Sequence, residues 1–97
     1  MRVIESDADF RKAIREGVTI ALFGAEWCTA CDGPKRLLQD DPRAIYADVE
    51  DCPQSANVYA VRSLPTIMVL SDGDLVAQTT GQVTQGDVEK MVRDGGG

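Results

Sequence analysis

The sequence predicts an α/β domain whose helices cover a mostly parallel sheet. Apolar, β-rich runs alternate with helical stripes along the chain, and one strand-helix-strand unit carries a CxxC at its first junction. Only the last pair of strands is joined by a short turn. The expected order is βαβαβαββα, a compact sandwich. At 97 residues there is room for one small domain, 1–97, and none for a second. Residues 94–97, ending in Gly-Gly-Gly, are expected to form a flexible tail.

RVIE at 2–5 reads as a short strand, after which Ser6 or Asp7 caps a helix with Phe10, Ala13 and Ile14 inward and Gly17 at its end. VTIALFG at 18–24 is a continuous apolar run, as a strand covered on both faces requires. It leads directly into AEWCTACDGPKR, residues 25–36. Lys35 to Asp40 then reads as helix with Leu37 and Leu38 inward, and Pro42 stops it by pushing the residue before it out of helical geometry. AIYADVE from Ala44 completes a βαβ unit with a parallel pairing and a right-handed crossover. Pro53 suits the first turn of a short helix, where its missing N–H costs nothing, and Ala56, Val58, Tyr59 and Val61 supply the apolar contacts. TIMVL and LVAQTT flank SDGD, so 66–80 reads as an antiparallel hairpin. Thr84 with Asp87 forms a capping box, and Val88, Met91 and Val92 give the last helix its apolar stripe.

Composition narrows the function. Ten basic against sixteen acidic residues leave a net charge of −6, which repels phosphate backbones and disfavours nucleic acid as a partner. No apolar run has the length of a membrane span and MRVIESDADF lacks the features of a signal peptide, so a cytoplasmic protein, and a monomer, is expected. Three cysteines, an odd number, argue against a framework of structural disulfides. Structural zinc wants four ligands, whereas the chain has no histidine and one cysteine beyond the CxxC. Neither a metal nor a bound cofactor is therefore expected. Two structural thiols, or a metal bridging two copies, stay open as lesser alternatives.

A CxxC where a strand ends and a helix begins inside a βαβ unit is the signature of a redox dithiol. Several separated features then make the chain similar to the thioredoxin family over nearly its whole length. They are AEWC followed by Cys31 at 25–31, Pro53 after a strand, SLPT at 63–66, Asp72-Gly73, and Gly81 before the last helix. The resemblance implies a thioredoxin fold, a five-stranded mixed sheet flanked by four helices, with a cis bond at Leu64-Pro65. It implies a protein disulfide reductase in which Cys28 attacks and Cys31 resolves. An extended substrate segment would dock on Trp27, Thr29, Ala30, Leu64, Pro65 and Gly81, and an external reductase or a low-molecular-weight thiol would supply electrons. The spacing suits that chemistry. The unpaired N–H groups and dipole of a helix amino terminus favour a thiolate at Cys28, and Cys31, about one turn on, can attack the mixed disulfide formed there.

The departures from the family pattern carry expectations of their own. The spacer is Thr29-Ala30 and the next residue is Asp32, so the charges of Glu26 and Asp32 bracket the dithiol and should make Cys28 less acidic than is usual in the family. The positions of a buried carboxylate and its lysine partner hold Leu22 and Tyr46, which leaves Cys31 to lose its proton to water or to another group, Tyr46 and Asp48 among the candidates. Pro34 would break a continuous helix, so one turn spanning the cysteines and a restart near Gly33-Pro34 are expected. Cys52 reads as an ordinary thiol blunted by Asp51, with a regulatory or dimerising role as the alternative. The rival to the enzyme is a binding subunit that uses the same apolar shelf and has no need of its cysteines.

Overall fold

The apolar run at 18–24 becomes the centre of the molecule. In the computed structural model, which describes residues 1–95, β2 (Val18–Gly24) lies between β3 (Ala44–Asp48) and β4 (Thr66–Ser71). Outside these lie β1 (Arg2–Ile4) on β3 and β5 (Asp74–Thr80) on β4, which gives one five-stranded sheet in the order β1-β3-β2-β4-β5. β1, β3 and β2 run parallel, whereas β4 and β5 run antiparallel to their neighbours, so the sheet is mixed as expected. Every residue of β2 after Val18 is buried, which is why the strand shows no polar alternation.

Alternate residues of the central strands build two cores. On one face Ala21 and Phe23 join Ile45, Ala47, Met68 and Leu70 beneath α1 (Asp7–Ala13) and α3 (Pro53–Val58). Phe10 of α1 stacks at a tilt on Phe23, with ring centroids 5.3 Å apart. On the other face Ile20, Leu22, Tyr46, Ile67 and Val69 lie beneath α2 (Asp32–Leu38) and α4 (Gln85–Asp94), which contribute Leu38, Val88 and Val92.

The helix ends follow the sequence signals. Ser6 caps α1 by accepting the Asp9 N–H at 3.1 Å, and Thr84 and Asp87 complete a reciprocal capping box on α4. Pro53 occupies the first turn of α3. At the hairpin tip Asp72 and Gly73 both take positive φ, 50° and 87°, the pair of left-handed residues that a tight turn between antiparallel strands requires. The Asp72 carboxylate also receives the Gly17 N–H at 2.7 Å, which ties this tip to the connection between α1 and β2.

Three expectations need correction. Val58, the last residue of α3, is 73% exposed and stays out of the core, which α3 and the segment after it reach through Ala56, Tyr59 and Val61. α2 ends at Leu38, not Asp40, and starts at Asp32, with a single 3-10 turn over Thr29–Cys31 ahead of it. The break expected near Gly33-Pro34 is instead a change from 3-10 to α at Cys31-Asp32, without interruption since both residues are right-handed helical, and it puts buried Pro34 in the first turn of α2, where no N–H is needed. Finally, Asp94 closes α4 and pairs with Lys90, and Gly95 caps the helix, so neither belongs to a tail. The rest of that expectation, 96 and 97, lies outside the described residues.

Candidate active site

The site forms where β2 ends. Gly24 accepts the Val49 N–H at 3.0 Å, and the Asp48 carboxylate at the end of β3 accepts the N–H groups of Glu26 at 3.1 Å and Glu50 at 2.9 Å. One acidic side chain thereby holds the segment that carries Trp27. The Cys28 N–H donates to Ala25, and the 3-10 turn closes when the Cys31 N–H donates to the Cys28 carbonyl at 3.2 Å. Cys28 and Cys31 are joined as a disulfide with Cα atoms 5.5 Å apart, inside the range such a bond needs.

The sulfurs differ in access. Cys28 is 8% exposed and lines a groove of about 380 Å³ with Trp27, Val49, Ala56, Arg62 and Leu64, whereas Cys31 is fully buried. Trp27 stands 67% exposed on the rim. Leu64-Pro65 is a cis peptide bond, as the resemblance implied. Pro65 is buried, and its carbonyl accepts the N–H of Gly81, whose φ is 82°. The six shelf candidates are therefore divided. Trp27 and Leu64 line the groove with Cys28, Thr29 and Ala30 lie exposed on the 3-10 turn, and Pro65 and Gly81, joined by a backbone hydrogen bond, do not line it.

Gln82 and part of the groove lining carried no legible signal. Gln82, just past β5, donates from its amide to the Ala30 carbonyl at 2.8 Å and so holds the CxxC turn from the far end of the chain. Val49, Ala56, Val61 and Arg62 complete the groove, although only the order of elements in space could have placed them there. Leu22 is fully buried in the core beneath α2, paired in register with Tyr46. The Tyr46 ring lies under the Lys35 ammonium, 4.4 Å from its centroid. Cys52 is buried in the core against which the groove residues Val49, Ala56, Val61 and Leu64 pack and does not itself line the groove; desolvation, reinforced by Asp7 and Asp51, pushes its thiol up to about 11.

The family model described as Thioredoxin matches residues 2–94. The chain belongs to the thioredoxin family. It is 30% identical over 94 residues to a thioredoxin of Bacillus subtilis, covering 90% of each chain. To a thioredoxin of Staphylococcus epidermidis it is 34% identical over 83 residues, covering 78% of this chain and 80% of the relative. Its structure is similar to that of Fasciola hepatica thioredoxin, with a TM-score of 0.79 and 28% identity over 97% of this chain and 99% of the other.

Family membership and the closed CxxC together make this a thiol-disulfide oxidoreductase, a protein disulfide reductase working by dithiol-disulfide exchange. Membership of the family implies, in general terms, protein disulfides as substrates and a reductase as partner. The rival reading, a binding subunit indifferent to its cysteines, is not favoured.

Proposed function

We propose that Cys28 is the attacking sulfur and Cys31 the resolving one. The observation that carries the assignment is the unequal access of the pair: Cys28 opens onto the apolar groove, and Cys31 is sealed beneath it. In the reduced protein the Cys28 thiolate attacks one sulfur of a substrate disulfide, forming a mixed disulfide and expelling the other substrate sulfur as a thiolate, which takes up a proton. Cys31 then attacks Cys28 Sγ, the bond from Cys28 to the substrate breaks, and the second substrate sulfur leaves as a thiol. Two electrons have passed to the substrate, and the closed Cys28-Cys31 pair remains. The groove would seat an extended segment across Trp27 and Leu64, with backbone near Pro65 as the pairing edge and Thr29, Ala30 and Gly81 at its borders.

The remaining parts of the reading rest on chemistry. An external reductase or a low-molecular-weight thiol reopens the disulfide. Glu26 and Asp32, both exposed beside the pair, oppose a thiolate at Cys28 and favour the disulfide, which makes the protein a reductant. It acts as a monomeric single domain, 1–97, in the cytoplasm, the compartment in which free thiols persist. The decisive assay is insulin reduction with dithiothreitol as donor. Cys28→Ser should abolish the enzymatic rate, and Cys31→Ser should accumulate a mixed disulfide through Cys28. Parental activity in Cys28→Ser would refute the assignment.

A further inference from the structure

The Tyr46 hydroxyl is buried with no hydrogen bond of good geometry among the described residues, and although the Lys35 ammonium is near enough to lend its oxygen a hydrogen bond, the hydroxyl's own hydrogen has no acceptor. Only 9% of Tyr46 is exposed, so its hydroxyl is largely cut off from the water that would otherwise satisfy it. Its position explains where a partner could come from. A Cβ added to Gly24 would lie 3.1 Å from the Tyr46 hydroxyl oxygen and 3.1 Å from Cys31 Sγ. Both groups therefore pack over the bare Cα of Gly24, within roughly twice that distance of each other, and glycine is what lets them share the space. In the disulfide the sulfur is neutral and a weak acceptor. Once reduced, it becomes a thiol or thiolate, and a thiolate is a strong acceptor for a hydroxyl donor.

We propose that the Tyr46 hydroxyl is the hydrogen-bond donor that stabilises the Cys31 thiolate in the resolving step. Freed from Cys28, the Cys31 sulfur turns about its own Cα–Cβ bond toward the hydroxyl. Its proton passes to solvent, and the sulfur attacks Cys28 Sγ. The electron pair of the bond between Cys28 and the substrate departs on the substrate sulfur, which is then protonated. Tyr46 keeps its own proton throughout, as a buried phenol should: desolvation pushes it up, with Lys35 pulling the other way and Asp48 and Glu26 adding to the rise. The Lys35 ammonium over the ring polarises the phenol toward donation, while Asp48 and Glu26 are the negative charges that work against a second anion here. Tyr46 is thus a positioning residue for Cys31, and its acceptor disappears when the disulfide closes.

The proposal rests on Cys31 being the resolving thiol, and one experiment tests the two separately. Reduced protein is mixed with excess 5,5′-dithiobis(2-nitrobenzoate) in a stopped-flow instrument, where Cys28 releases the first thionitrobenzoate and Cys31 the second. In Tyr46→Phe, which keeps the ring under Lys35, the first phase should be unchanged. The second should slow several-fold, with its pH midpoint moved upward. Equilibration with glutathione should shift several-fold toward the disulfide, because the reduced state has lost a stabilising donor. A second phase and a glutathione equilibrium both equal to the parent's would overturn the proposal alone. Absence of a second phase from the parent would overturn the resolving role of Cys31 and this proposal with it.

Discussion

Trp27 keeps a large apolar ring in water at the rim of the groove, a position costly to stability and useful to binding. Its worth should appear only with substrates large enough to touch it. Trp27→Ala is expected to raise the KM for insulin about tenfold, the equivalent of ~1.4 kcal/mol, the scale of an aromatic anchor at an interface. Reduction of a small disulfide such as 5,5′-dithiobis(2-nitrobenzoate) should change little. A parallel loss with both substrates would place Trp27 in the support of Cys28 and not in docking. Cys28, Cys31 and Trp27 were legible because they are consecutive or nearly so, on one turn whose chemistry depends on spacing. Tyr46 was legible only as one candidate beside Asp48, and Gly24 and Gln82 not at all, because their roles arise from contacts between distant parts of the chain.

Helices here are held partly by side chains of other helices. Asp7 opens α1, yet its carboxylate accepts the Ser55 N–H and hydroxyl, each at 2.8 Å, and the Gln54 N–H at 3.2 Å. It therefore does for α3 what a capping residue in α3 itself would do, since Cys52 at that position makes no side-chain cap. Desolvation pushes the Asp7 carboxyl up, but the hydrogen bonds from Ser55 and Gln54, with the Arg11 charge, outweigh it and hold the group below the usual carboxylate range. A group depressed on folding contributes fully above its unfolded value, about 3.9, and loses that contribution as pH falls through the folded value. Asp7→Asn, which sets an N–H donor where one of the two accepting oxygens stood, should therefore destabilise the protein by about 1 kcal/mol at pH 7 in urea unfolding, and the gap from the parent should close in acid. A gap that does not narrow as pH falls would assign the effect to packing. The capping box at Thr84 could be found in the sequence because its partners are three residues apart, whereas Asp7 and Ser55 are joined only by the fold.

At the scale of the whole molecule, the sheet divides a small protein into two thin cores, and each depends on few large side chains. Phe10 touches Phe23 of the central strand and also Tyr59, with centroids 6.0 Å apart, so it joins α1, the sheet and the segment after α3. Phe10→Ala should cost about 3–5 kcal/mol, a large share of the roughly 5–15 kcal/mol that holds such a domain together. The urea midpoint should fall accordingly, while the folded fraction still closes its disulfide, because Cys28 and Cys31 pack with Ala25, Val49 and Leu64 and not with Phe10. Element order and the central position of β2 followed from apolar runs and their punctuation, since periodicity reports burial. The placement of α2 was less legible: Pro34 announced a break, but only packing decided that the turn over the cysteines would be 3-10 and that the helix would resume at Asp32. The exposure of Trp27 bears on how all such unfolding should be followed. It is the chain's sole tryptophan and already 67% in water, so its emission colour should scarcely change when the protein unfolds. Far-ultraviolet circular dichroism will report the collapse of the fold, whereas the fluorescence of this indole will report what arrives in the groove beside it.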